Sequence, residues 1–199
     1  IDNWSRAISS LSYQNESDNP QGILRVVDFI VRDTESGEDR FRSNVVVAPV
    51  NDAPVIQEID ELLDYTENDL PKTLRNQVLL EDKDDTNLES ATITLSANFV
   101  SGEDVLAFTD ANGITGSWDG TNGILSLTGS ATKANYELAL ESVTYENTSD
   151  DPSILSRTVS WVVNDGTADS AAITSTITVA AVNDAPVGAD AAGTLAYTE

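Results

Sequence analysis

The chain has 199 residues, 40% of them apolar, and its 34 acidic against 10 basic residues leave a formal charge of −24. Such a surface repels nucleic acid and anionic membranes and draws multivalent cations, although a merely solvated, aggregation-resistant exterior would carry the same charge. With no cysteine and no histidine, disulfide frameworks, thiolate or imidazole ligands and all Ser-His or Cys-His catalysis are excluded. There is no long apolar run, so direct membrane insertion is not expected.

Read from its start, the chain repeats itself. Val50-Asn51-Asp52-Ala53-Pro54-Val55 returns as Val182-Asn183-Asp184-Ala185-Pro186-Val187, an offset of 132 residues. At that offset and without a gap, Tyr13 falls on Tyr145, Pro20 on Pro152, Asp33 on Asp165, and Tyr65-Thr66-Glu67 on Tyr197-Thr198-Glu199. About 25 of the 67 comparable positions are identical, which identifies an internal repeat. Residues 1–52 therefore correspond to the C-terminal part of one repeat, 53–184 to a complete repeat, and 185–199 to the start of the next.

In the first segment, Arg25–Val31 and Ser43–Val47 are rich in β-branched residues and bounded by polar turns, which predicts two strands. Alone they would expose a sheet edge and half a core, so this segment should be poorly stable unless covered. The complete unit opens with an extended piece to Tyr65-Thr66-Glu67-Asn68, followed by Thr73–Leu80. After the acidic run Glu81-Asp82-Lys83-Asp84-Asp85 comes Ala91–Ser96, which alternates as a half-buried strand does. Asp104–Phe108, Gly113–Trp118 and Gly123–Leu127 read as a meander of hairpins, separated by Asp110-Ala111-Asn112-Gly113 and Asp119-Gly120-Thr121-Asn122-Gly123, whose Asn-Gly and Asp-Gly pairs supply positive φ at the turns.

Thr132–Glu141 is the single helical candidate, capped by Thr132. Val143–Tyr145, Arg157–Val163 and Ile173–Val182 complete the strands. Many short strands, one short helix and no βαβ alternation predict an all-β sandwich. The matched aromatic pairs, Tyr13 with Tyr145, Phe29 with Trp161 and Trp4 with Tyr136, read as core rather than as ligand platforms.

Calcium takes about six to eight hard oxygen ligands, so a site must collect carboxylates and carbonyls from segments that meet. Asn51 and Asp52 sit at a junction, and Asp82 and Asp84 lie two apart on a segment expected to be extended, where both side chains can face one way. Asp165 ends a strand before Gly166. Each has a plainer role open to it: Asx turns for Asn51 and Asp52, a solvated acidic loop for Asp82 and Asp84, and hairpin closure for Asp165. Recurrence favours the ligand role, because Asn51, Asp52 and Glu67 return as Asn183, Asp184 and Glu199.

The junction hexapeptide, Tyr65-Thr66-Glu67-Asn68, Asp82-Lys83-Asp84, Tyr145-Glu146-Asn147 and Asn164-Asp165-Gly166 together resemble the cadherin-like tandem repeats of large bacterial surface adhesins, the extender repeats of RTX-type adhesins. The resemblance covers essentially the whole chain. It implies a Greek-key β-sandwich of cadherin or immunoglobulin-like type, in tandem, with Ca2+ between successive domains. Asn51, Asp52, Asp82, Asp84 and Asp165 would then serve one junction, and Glu67, Asn183 and Asp184 the next. The linker is one residue shorter than the cadherin pattern, and Pro49 and Ala181 stand where that pattern has its first Asp, so fewer ions per junction are expected. Glu146 is a weaker candidate for the mid-domain acid.

The implied protein is a structural extender of a secreted or cell-surface adhesin, partnered by neighbouring repeats of the same chain and without catalytic residues. The alternative is a carbohydrate-binding or homophilic adhesive module that meets a cell surface. An enzyme, resting on carboxylates such as Asp84-Asp85 or Asp150-Asp151, comes third, because adjacent acids on a loop are poorly arranged to flank one glycosidic bond.

Overall fold

The computed structural model describes residues 7–57, 62–75 and 77–186. Its strands are Leu24–Arg32 (β1), Glu38–Val46 (β2), Val55–Gln57 (β3), Leu62–Thr66 (β4), Lys72–Thr73 (β5), Leu79–Glu81 (β6), Asn87–Ala97 (β7), Asp104–Ala107 (β8), Thr115–Asp119 (β9), Ile124–Thr132 (β10), Thr144–Asn147 (β11), Arg157–Asn164 (β12) and Ile173–Ala180 (β13). The helix Lys133–Glu141 (α1) lies between β10 and β11, and residues 7–9 add a helical turn. The fold is an all-β sandwich with one short helix, as the pattern of short strands predicts.

The strictest alternation lies at the centre. In β12 every second residue, Arg157, Val159, Trp161 and Val163, is buried, and β7 buries Leu88, Ala91, Ile93 and Leu95. These two strands pair antiparallel in the middle of a sheet ordered β4-β13-β12-β7-β10-β9, in which only β4·β13 is parallel. A second sheet, β5-β11-β8, and the pair β3-β6 complete the sandwich around one core. Side chains of period two on a pleated strand present one apolar face each, and two such faces bury one another.

Helix α1 is short enough to need its ends and sides satisfied. Thr132 Oγ1 accepts from the Asn135 N–H at 3.3 Å, as the sequence predicts. Glu137 and Glu141, one turn apart, accept from the backbone N–H groups of Leu80 and Val78 at 2.9 and 3.0 Å, so the helix covers donors of and beside β6. Tyr136, Ala139 and Leu140 fill the core beneath it.

Three local expectations are corrected. Residues 104–127 are not one meander: β8 pairs with β11 in the second sheet, and only β9 and β10 form a hairpin. The turn Asp110-Ala111-Asn112-Gly113 instead carries the chain between sheets, with Asn112 and Gly113 at φ of 55° and 81°. In the β9–β10 hairpin Asn122-Gly123 supplies the left-handed residue, Gly123 at φ 71°, and Asp119-Gly120 does not, because the Asp119 carboxylate caps the amides of Thr121 and Asn122 and delays the reversal. Thr73–Leu80 splits into β5 and β6, each serving a different sheet.

The sheets are tied by a buried polar network. Arg157 on β12 and Asp104 on β8 are 0% and 1% exposed and pair at 3.2 Å. Asp104 also accepts from Tyr145 Oη at 2.6 Å, Asn147 Nδ2 at 2.7 Å and the Val100 N–H at 2.8 Å, while Arg157 donates to the carbonyls of Ser153 and Leu155. A buried charge is tolerated only when paired and hydrogen-bonded, and removing one partner costs about 3–5 kcal/mol. Asp104→Asn is therefore expected to destabilise the unit by ~3–5 kcal/mol in urea unfolding, and Tyr145→Phe by ~1–2 kcal/mol.

Burial, and then the charge of Glu89, push the Tyr136 hydroxyl up to about 12 from 10.0. Burial and its bond to Asp104 move Tyr145 in the same direction. A pKa raised by folding contributes stability below the unfolded value and loses it as pH rises through the folded one. Stability should therefore fall between pH 10.0 and about 12, read by unfolding across that range, and the fall should shrink in Tyr136→Phe.

Candidate metal centre

At the junction, β2 runs out towards Asn51 and Asp52, and β3 begins beyond Pro54. Pro54 is buried and fixes φ, which holds the preceding dipeptide against the unit. Asn51 Nδ2 donates to Asp165 Oδ2 at 2.9 Å and to the Asp52 carbonyl at 3.1 Å. The Asp52 N–H points between both oxygens of Asp84, at 3.3 and 3.2 Å. The predicted residues Asn51, Asp52, Asp84 and Asp165 thus meet at one place.

The acidic run departs from its predicted geometry. It is a turn, not an extended segment, because Asp82 Oδ1 accepts from the amides of Asp84 and Asp85 at 3.1 and 2.8 Å. Such an Asx-type turn rotates residue i+3 back beside residue i. Asp85 rather than Asp84 therefore joins Asp82, and carboxylate oxygens of Asp82, Asp85 and Asp165 lie within 4.8 Å of one another. Asp84 sits on the flank, facing the junction backbone. Asp85 is the residue that sequence reasoning missed; its only signal was membership of the acidic run.

Asp165 does both jobs open to it. Oδ1 closes the β12–β13 turn by accepting from the amides of Thr167 and Ala168 at 2.6 and 2.7 Å, while Oδ2 takes the Asn51 amide. Burial alone would raise its pKa, but the bonds from Asn51, Ala168 and Thr167 outweigh burial and hold it below the usual carboxylate value. Asp85 moves the other way, raised by burial and then by the charges of Asp82, Asp84 and Asp165, with Lys133 opposing. Lys133 Nζ donates to the carbonyls of Asp82 and Asp85, anchoring the acidic turn to the start of α1.

Asp82 Oδ2 is a buried oxygen with no hydrogen-bond partner among the described residues. An oxygen so placed, beside two further carboxylates, fits a hard cation such as Ca2+, which would supply the missing charge and coordination.

The second set is assembled in part. Glu67, 4% exposed, accepts from the Val182 N–H at 2.7 Å through Oε2, while Oε1 is buried without a partner among the described residues. Asn183 repeats the local contact of Asn51, donating to the Asp184 carbonyl at 3.1 Å, and both are exposed. The expected continuation at Glu199 lies outside the described residues. Glu146 is half-buried on β11 and is not part of the aspartate cluster.

No protein-family model matches this chain, and no curated protein matches it either. No helix among the described residues is long and apolar enough to cross a membrane.

Asp85 ionises at the expense of the fold, since its raised pKa means that its stability contribution is present below 3.8 and lost as pH rises through the higher folded value. Asp85→Asn is therefore expected to raise the metal-free melting temperature at pH 7, and to weaken any stabilisation by calcium. Calorimetric melts with chelator and with calcium read both effects.

Proposed function

We propose that the chain is a structural extender: a tandem β-sandwich repeat in which calcium bridges the junction and turns a hinge into a stiff joint. The observation that carries this reading is the Asn51 amide seated on Asp165, within a cluster whose Asp82 oxygen is buried and unsatisfied. Asp82, Asp85 and Asp165 belong to the complete unit, and Asn51 and Asp52 to the segment that enters it. A cation held by the three carboxylates would fix the surface on which Asn51 and Asp52 rest.

Without metal, the three carboxylates repel one another, and the burden falls on Asp85, whose pKa is raised, whereas hydrogen bonds hold Asp165 ionised. With metal, the ion offsets that repulsion and stabilises the ordered joint by mass action. Modules outside the cell hold calcium at about 0.1–1 mM, so 1 mM calcium at a Kd of 0.1 mM would contribute ~1.4 kcal/mol. The charge of −24, the absence of histidine and cysteine, and the exact return of the junction sequence support a secreted or cell-surface extender of the adhesin type. Glu67, with its orphaned oxygen beside Val182, supports a like site at the second junction, where Asn183 and Asp184 follow.

The test is calorimetric titration of the chain with calcium, paired with small-angle scattering. Binding in the ~0.1–1 mM range with a longer, better-defined maximum dimension is expected, and Asp82→Ala or Asp165→Ala should abolish the junction heat while the sandwich still melts cooperatively. Absence of heat and of any change in shape up to about 10 mM calcium would leave the acids as a solvating surface only.

A further inference from the structure

The hairpin β1–β2 is the same piece of architecture as β12–β13, and among the described residues its inner face is left uncovered. In β1–β2 the register pairs Arg25 with Val45, Val27 with Ser43 and Phe29 with Phe41. In β12–β13 it pairs Arg157 with Ile177, Val159 with Ser175 and Trp161 with Ile173, each residue lying 132 positions further on. The match extends outside the strands. Ser10 Oγ donates to the Ala7 carbonyl as Ser142 Oγ does to Ala139, at 2.8 and 2.7 Å, and the Ser17 amide bonds Asn15 as Ser149 bonds Asn147, both at 3.0 Å.

Only the surroundings differ. Arg157, Val159, Trp161 and Val163 are at most 2% exposed, whereas Arg25, Val27, Phe29 and Val31 are half-buried. Tyr13 is 46% exposed where Tyr145 is 0%. In the complete unit, β12 is flanked by β7, β13 by β4, and Arg157 is neutralised by Asp104. In the first segment β1 and β2 pair, among the described residues, with each other alone. Arg25 reaches the Gln21 carbonyl at 3.4 Å, the same contact that Arg157 makes to Ser153, so the guanidinium is already aimed although no carboxylate pairs with it among the described residues.

We infer that the inner face of β1–β2 is a docking surface for the front part of a repeat, a polypeptide with the pattern of residues 53–132. That partner would add a strand like β7 antiparallel to Leu24–Arg32 and a strand like β4 parallel to Glu38–Val46. It would also bring a carboxylate like Asp104 to Arg25. The chemistry is specific: two open sheet edges, an apolar face bearing Val27, Phe29, Val31 and Val45, and one cation at a defined point on it. The outer face offers no such match, since Asp28 with Arg42 and Arg32 with Glu38 already pair across the strands at 2.7 and 2.9 Å. The inference is independent of metal.

The test joins a second copy of residues 53–132 directly ahead of residue 1 of the full chain and compares amide hydrogen exchange with the unmodified chain. Amides of Leu24–Arg32 and Glu38–Val46 are expected to exchange on the order of 100-fold more slowly in the extended chain. Asp104→Asn in the added copy, or Arg25→Gln, should remove most of that gain, while Arg25→Gln in the unmodified chain changes little. Equal exchange in the two chains would overturn the inference. So would protection that appears in the unmodified chain and grows with its concentration, which would make the occupant a second copy instead.

Discussion

A guanidinium withdrawn from water must find a carboxylate, and in this protein that requirement decides how the two sheets face one another. Arg157 comes from the centre of the large sheet and Asp104 from the edge of the small one, and neither is exposed. Tyr145 and Asn147, on the strand beside β8, donate to the same carboxylate and lock the small sheet in register. Arg75 adds a second buried cation, its guanidinium 4.8 Å from the ring of Trp161, four residues further along the same strand. An apolar core would tolerate some sliding of one sheet over the other, whereas a charge pair with directed hydrogen bonds does not.

The backbone accommodates this packing at a few points of close approach. Gly129, at φ 140° within an irregularity of β10, is the sharpest, because a Cβ there would stand 2.2 Å from the Gly113 carbonyl. That irregularity also exposes the Gly129 carbonyl to Tyr136 Oη at 2.7 Å, so the helix is fastened where the strand is bent.

Stability and site draw in opposite directions at the junction. The core asks for neutral or paired groups, while the acidic turn and Asp165 bring three carboxylates together, and one of their oxygens, Asp82 Oδ2, is buried without a hydrogen-bond partner among the described residues. Lys133 offsets part of the charge from the side of the helix, yet it binds carbonyls and leaves the carboxylate oxygens facing the junction. Of the three, Asp85 is ionised against the fold, whereas Asp165 is held ionised by its hydrogen bonds to Asn51, Ala168 and Thr167.

How much of this was legible in the sequence follows from what sets each feature. The strands at β1, β7, β8, β12 and β13, the capped helix and the buried Tyr136, Tyr145 and Trp161 were all readable, because period-two alternation, Thr capping and aromatic burial are properties of short stretches. The repeat was readable too, and its equal registers in β1–β2 and β12–β13 are the same information expressed in hydrogen bonds. The partner of a strand is set instead by the whole sheet, so the sequence could not say that β8 leaves β9 for β11, nor that Arg157 meets Asp104 across 53 residues. In the acidic run every residue is equally acidic, and only the Asx turn at Asp82 decided that Asp85, not Asp84, would stand beside Asp165.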